Sequence, residues 1–230
     1  MEIHHVTLEE CHRASGVVVV IDVLRAFTTA AFAFEAGAAQ ILMAETVSEA
    51  LELSERFPGA LLLGEVDGLP IPGFDFGNSP SRLAGVDLTG KTLIQRTSAG
   101  VQGVVRSRNA DHLFAASFVT AQATVEALKR LLPPAVTFVI TGVLGERDGD
   151  EDLACAEYMA RLLAGDRPDP EPYLERVALS YSGRLFSGDV HSDFPAADLA
   201  CAMQLDRFPR ALEVHRRDGL LVLTPQGSFG

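Results

Sequence analysis

Short apolar runs alternate with helical repeats along most of this chain. Residues 17–21, Val17-Val18-Val19-Val20-Ile21, form an unbroken β-branched run. Such a run suits a strand buried on both faces of a parallel sheet. It stops at Asp22. Phe27, Ala30, Ala31 and Phe34 then fall on one face of a helix over residues 26–36, and Gly37 is a natural stop. Ile41-Leu42-Met43 reads as a second strand. Thr46 and Glu49 have capping-box spacing at the start of a helix that runs to about Phe57 and closes at Pro58-Gly59. Leu61-Leu62-Leu63 is a third strand, ending at Gly64-Glu65. Residues 92–95, 112–116 and 136–140 are the fourth, fifth and sixth. Helices are expected over residues 120–132 and after Glu151-Asp152, where Leu153, Ala156, Ala160 and Leu163 make a core face. Residues 170–186 and 195–206 also read as helices. Residues 212–214 and 220–223 suit a hairpin turning through Arg217-Asp218-Gly219.

This alternation predicts one α/β domain over residues 1–230, with a three-layer architecture. Its sheet is mostly parallel, with helices on both faces. Residues 66–79 break the rhythm. They are rich in Gly and Pro, and long connections inside compact domains are often functional. Ser79-Pro80 resembles an N-cap followed by proline at the first helical position. Three strands end in polar turns that open helices, at residues 22–29, 96–100 and 141–152. Ligands of open α/β sheets bind beyond the carboxyl ends of strands, so the three turns are expected to converge on one crevice.

Charge and composition narrow the function classes. A formal net charge of -12 disfavours nucleic-acid binding. It leaves room for a divalent cation, and for a small anion in a local basic pocket. The three cysteines, Cys11, Cys155 and Cys201, form no zinc pattern or disulfide framework. Cys155 and Cys201 are expected to be buried, inert thiols, a usage that fits a reducing cytoplasm. No apolar run reaches the ~18 residues of a membrane span, and the first residues lack the pattern of a secretory signal. A cytoplasmic protein without membrane contact is therefore expected. The chain has no HExxH, no GxxxxGK[ST], no GxSxG, and no GxGxxG after a strand.

The candidate chemistry lies at strand ends. Asp22 follows five apolar residues and is either a helix-capping carboxylate, a metal ligand or a nucleophile. Arg25 offers a fork for an oxyanion, and Thr28 and Thr29 lie at a helix start where anions bind. Glu65 ends another strand. Asn78 and Ser79 either cap a short helix or touch a substrate. Arg96, Thr97, Ser98 and Gly100 are either a second anion cradle or a polar helix start with a surface arginine. Glu151 and Asp152 are favoured at a helix start by its dipole alone, or help hold Mg²⁺ through oxygen ligands.

With these residues in view, the chain resembles the 2-phosphosulfolactate phosphatase family. The resemblance is carried by residues 19–26 (VVIDVLRA) with Thr28-Thr29, by Gly64-Glu65, by residues 73–80 (GFDFGNSP), by residues 96–100 (RTSAG) and by Glu151-Asp152-Leu153. It runs from about residue 15 to 210. It implies a Mg²⁺-dependent phosphatase that converts 2-phosphosulfolactate to 3-sulfolactate on a route to coenzyme M. Two cationic cradles, at Arg25 and Arg96, would suit a substrate with two anionic ends. Asp22, Arg25 and Arg96 would be catalytic, with Asp22, Glu65 and Asp152 on the metal. Thr28, Thr29, Asn78, Ser79, Thr97, Ser98 and Gly100 would bind substrate. The chain departs from the family pattern at Val66 and at Ser98-Ala99. A different phosphomonoester, and a non-enzymatic sensor of a small anionic metabolite, are the alternatives. A homo-oligomer is compatible with the chain on general grounds.

Overall fold

A computed structural model describes residues 1–144, 147–186 and 192–227. In chain order the strands are β1 (Glu2–Thr7), β2 (Gly16–Ile21), β3 (Gln40–Met43), β4 (Leu61–Val66), β5 (Leu69–Pro70), β6 (Phe76–Gly77), β7 (Thr92–Arg96), β8 (Ala110–Ala116), β9 (Ala135–Ile140), β10 (Val143–Leu144), β11 (Arg147–Asp148), β12 (Leu212–Arg217) and β13 (Leu220–Pro225). The α-helices are α1 (Ala26–Glu35), α2 (Val47–Arg56), α3 (Gly100–Arg106), α4 (Ala121–Leu131), α5 (Asp150–Leu163), α6 (Glu171–Leu179), α7 (Tyr181–Leu185) and α8 (Ala196–Ala202).

Among the described residues, eleven strands make one sheet, in the order β1-β9-β2-β8-β12-β13-β3-β7-β4-β5, with β6 also paired to β4. The β1, β9, β2 and β8 strands are mutually parallel. So are β3, β7, β4 and β6. The β12–β13 hairpin lies between the two sets and is antiparallel to both of its neighbours, β8 and β3. The expected hairpin therefore forms, and its place is the middle of the sheet. Its turn has positive φ at both Asp218 (49°) and Gly219 (79°). That geometry matches the natural twist of paired strands.

Alternation along the strands explains the layers. Val18 and Val20 point into one core, whereas Val17, Val19 and Ile21 point into another. The first core also takes Leu113 and Ala115 from one parallel set and Ile41, Met43, Leu63 and Leu93 from the other, all against α1. Helix α1 is buried from Ala26 to Ala33. One helix packed by both sets requires the sheet to wrap around it. On the outer face, α4 and α5 cover β2, β8 and β9, while α2 covers β3, β4 and β7. The result is the expected three-layer α/β arrangement, with a mostly parallel sheet and helices on both faces.

Some local expectations change. The sheet gains an edge strand, β1, and His4 and His5, which suit an exposed strand end, lie on it. The helix expected over 170–186 is two helices. The Ser180 hydroxyl accepts the Gly183 N–H and starts α7, and a Cβ on Gly183 would lie 1.9 Å from the Val177 carbonyl oxygen. The helix expected over 195–206 is shorter, ending at Ala202. Proline does follow Ser79 at the first position of a 3₁₀ helix (Pro80–Leu83), but the Ser79 side chain makes no capping hydrogen bond. Cys155 is buried, whereas Cys201 is half-buried. Among the described residues no helix is long and apolar enough to cross a membrane.

Candidate active site

Strand β2 delivers Asp22 at its buried end, where the side chain is 5% exposed. Its Oδ1 accepts the Ala26 N–H at 2.9 Å, joining the carboxylate to the start of α1. Helix α3 approaches from the other side. A Cβ on Gly100 would lie 2.6 Å from Asp22 Oδ2 and 2.8 Å from Ala26 Cβ, so only glycine fits between them. Burial pushes the Asp22 carboxyl up to about 6, assisted by Glu65 and Glu151 and opposed by the amides of Ala26 and Gly100.

The first turn of α5 supplies two more buried acids. Asp152 accepts the Val23 N–H through Oδ1 and the Gly142 N–H through Oδ2, each at 2.8 Å, and the Thr141 hydroxyl also donates to Oδ2 at 3.2 Å. Burial, then the charges of Glu151 and Asp22, hold its carboxyl well above the usual range. Glu151 is 2% exposed and its carboxyl is raised mainly by burial. Its Oε2 is buried with no hydrogen-bond partner among the described residues. The three strand-end turns therefore meet around Asp22. Gly145 and Glu146, within the third turn, lie outside the described residues.

A second wall comes from the other parallel set. Glu65 accepts the Ser98 N–H at 2.5 Å and the Gly68 N–H at 2.6 Å, and the Ser98 hydroxyl lies 3.2 Å away. Arg96 donates to the Glu65 carbonyl at 2.7 Å and to the Ser98 hydroxyl at 3.1 Å. The two turns are thus laced together. They pack so closely that a Cβ on Gly64 would lie 2.0 Å from the Arg96 carbonyl oxygen.

Between these walls is a small pocket with a cavity volume of about 60 Å³. Of the residues singled out from sequence, Asp22, Arg25, Glu65, Asn78 and Ser98 line it. Arg25 is already engaged. Its guanidinium donates to Asp198 Oδ2 at 2.9 Å and to the carbonyls of Asp193 and Gly68, and it stacks 5.0 and 5.2 Å from the Phe186 and Phe194 ring centres. Asn78 is 5% exposed, and its buried Oδ1 has no partner among the described residues.

The remaining candidates stand back from the pocket. Thr28 gives its hydroxyl to the Val23 carbonyl, and Thr29 is fully buried. Ser79 donates to Asp198, and the Thr97 hydroxyl accepts the Val101 N–H. Arg96, Gly100 and Asp152 support the walls without lining the cavity. Sequence reading passed over Asp198, Arg147, Ser182, Phe186 and Phe194. Of these only Arg147 carried a signal, lying in the acid- and Gly-rich turn before α5. A larger cavity of about 290 Å³, bounded by Met43, Glu45, Arg108 and Arg216, contains none of the strand-end carboxylates near Asp22.

Among the described residues, no group of three or more His, Cys, Asp or Glu side chains has the spacing of a protein-built metal cage. Three carboxylates, Asp22, Glu65 and Asp67, line the pocket against two guanidiniums, and one of those is paired with Asp198. The arrangement can concentrate a cation. It repels an anion unless positive charge enters with it.

A sequence model described as 2-phosphosulpholactate phosphatase matches residues 3–182. A probable 2-phosphosulfolactate phosphatase of Bacillus subtilis (strain 168) is 44% identical over 147 residues, covering 64% of each chain. A protein of the same description from Deinococcus radiodurans is 38% identical over 148 residues, 64% of this chain and 61% of the relative. Each of these two matches spans less than two thirds of the relative's length. A third, from Parasynechococcus marenigrum (strain WH8102), is 32% identical over 211 residues, 82% of this chain and 85% of the relative. With the family's motifs spread over both walls of the pocket, the chain belongs to the 2-phosphosulfolactate phosphatase family.

Proposed function

We propose that the chain is a Mg²⁺-dependent phosphatase acting on a small phosphomonoester. The family and its relatives' names point to 2-phosphosulfolactate, giving 3-sulfolactate and phosphate. The observation that carries this reading is the buried acidic cluster of Asp22, Glu151 and Asp152, all with carboxyls raised by burial beside a negatively lined pocket. Buried acids without cations are costly, and a divalent cation relieves them.

The donor set fits Mg²⁺, which often uses one or two carboxylates together with water and substrate phosphate. Asp22 and Glu151 are the best placed to hold it, because Glu151 Oε2 is unpartnered. The Glu65 and Asp152 oxygens, which the motifs also suggest as ligands, already accept backbone N–H groups. When bound, the ion would supply positive charge against phosphoryl oxygens. Asp22 is oriented by Ala26 and Gly100, and serves either as nucleophile or as metal ligand. Asn78 presents an amide to the substrate. Arg25, locked by Asp198 and two aromatic rings, shapes the pocket wall and excludes water. Cytoplasmic location and a place in coenzyme M synthesis belong to the same proposal, and rest on cysteine usage and family likeness.

Phosphate release from 2-phosphosulfolactate and a panel of phosphomonoesters, with Mg²⁺ and with EDTA, tests the reading. Metal-dependent turnover lost in Asp22→Asn supports it. Binding without turnover would favour a sensor instead. Acid-quench trapping of an aspartyl phosphate separates the two roles of Asp22.

A further inference from the structure

Neither of the two arginines that the motifs mark as anion cradles offers its guanidinium to the cavity: both terminal nitrogens of Arg25 are bonded, and Arg96, whose Nε is buried without a partner among the described residues, does not line it. Arg25 is paired with Asp198, and Arg96 laces Glu65 to Ser98 outside the cavity. A phosphorylated, sulfonated substrate still needs a cation of the protein's own. The pocket lining contains one more, Arg147.

Arg147 sits on β11, which pairs antiparallel with β10 through Val143↔Asp148 and Leu144↔Arg147. The short ribbon stands between β9 and α5, directly before the helix turn that carries Glu151 and Asp152. Its side chain is half-buried and borders the same cavity as Asp22, Asn78, Ser98 and Ser182. No hydrogen bond or ion pair ties it to a described residue, in contrast to Arg176, which is held by Asp150 and Glu157. A half-buried guanidinium in an acid-rich pocket would gain by pairing with the nearby carboxylates. Arg147 instead remains uncommitted, as a residue reserved for an incoming oxyanion does.

We infer that Arg147 is the substrate-binding residue that takes a tetrahedral oxyanion of the substrate, the role the motif pattern would give to Arg96. This rests on the phosphatase reading for the identity of the substrate, but not for the existence of the anion site. The shared chemistry is a tetrahedral oxyanion, either phosphate or sulfonate.

The test compares wild type, Arg147→Ala, Arg147→Lys and Arg96→Ala, each checked for native circular dichroism. Steady-state kinetics are measured on 2-phosphosulfolactate and on 2-phospholactate, which lacks the sulfonate. Loss of one charge-assisted contact raises KM on the order of 10- to 100-fold. The expected result is that rise in Arg147→Ala, a smaller one in Arg147→Lys, and a different response in Arg96→Ala. A rise confined to the sulfonated ester assigns Arg147 to the sulfonate, and a rise with both esters assigns it to the phosphate. Unchanged KM for both overturns the inference and leaves the phosphatase reading standing. Should wild type hydrolyse neither ester, calorimetric titration with inorganic phosphate and with 3-sulfolactate, each in the presence of Mg²⁺, decides. Binding weakened at least about tenfold in Arg147→Ala supports the site. Equal or absent binding in both proteins overturns it.

Discussion

Asp198 holds Arg25 at 2.9 Å in an ion pair whose side chains are 0% and 5% exposed. The other Asp198 oxygen accepts from the Ser79 hydroxyl, the Ser81 hydroxyl and the Ser81 N–H. One carboxylate therefore ties helix α1, the 3₁₀ turn after Asn78, and α8 together behind the pocket. Removing one partner of a buried pair strands the other charge, at a cost of about 3–5 kcal/mol. Asp198→Ala should lose stability on that scale in urea unfolding, with Asp198→Asn losing less. A loss under about 1 kcal/mol would mean that Arg25 finds water or another acceptor.

Asp22→Asn separates chemistry from folding. The amide keeps an oxygen to accept the Ala26 N–H and removes a charge that burial disfavours. Phosphatase activity should fall at least on the order of 100-fold, while the melting temperature at pH 7.5 holds or rises. A variant that melts much lower would show that the charge itself supports the fold.

The acidic cluster sets a pH dependence for the metal-free protein. The folded carboxyls of Asp22, Glu151 and Asp152 lie above their ordinary values, so folding favours their protonated forms. The Asp22 contribution is fully present below about pH 4 and fades as pH rises through about 6, and those of Glu151 and Asp152 are likewise lost as pH rises. In EDTA, melting at pH 5.5 should therefore exceed melting at pH 7.5 by about 3–6 °C. Adding Mg²⁺ should recover much of that loss at pH 7.5 and do little at pH 5. A pH-independent melt that ignores Mg²⁺ would count against both the coupling and the cation site.

Gly100→Ala probes how tightly the walls meet. Its new methyl would press on Asp22 Oδ2 and Ala26 Cβ, both fixed by α1. Overpacking of this kind costs about 1–3 kcal/mol. The variant should lose stability in that range and lose kcat more than KM rises, because the displaced atom belongs to the carboxylate proposed as nucleophile or metal ligand. Wild-type kinetics with full stability would show that α3 can shift away freely.

The parts legible in the sequence were those governed by nearby residues. The run Val17 to Ile21 announces a doubly buried strand, and Asp22 stands out because it interrupts that run. Local spacing also revealed α1, α2 and the Asp218-Gly219 turn. Long-range partners left no such trace. Asp198 lies 173 residues from Arg25, and nothing in its helix distinguishes it from a surface acid. The place of the β12–β13 hairpin depends on which strand edges remain open after the two parallel sets form, which no local period encodes. Thr28, Thr29, Thr97 and Ser79 suggest anion binding by residue type. In the structure the hydroxyls of Thr28, Thr97 and Ser79 are bonded to the protein itself, and Thr29 is buried.

The central hairpin also bears on how the chain is made. Of the described strands, β12 and β13 leave the ribosome last, yet they fill the gap between β8 and β3. Until they arrive, each half-sheet carries an open edge of unpaired N–H and C=O groups, a template for pairing with another nascent chain. Asp22 comes from one half and Glu65 from the other. The pocket therefore draws on both halves, and a chain stalled before residue 212 would hold all three strand-end turns with the facing edges of β8 and β3 still open.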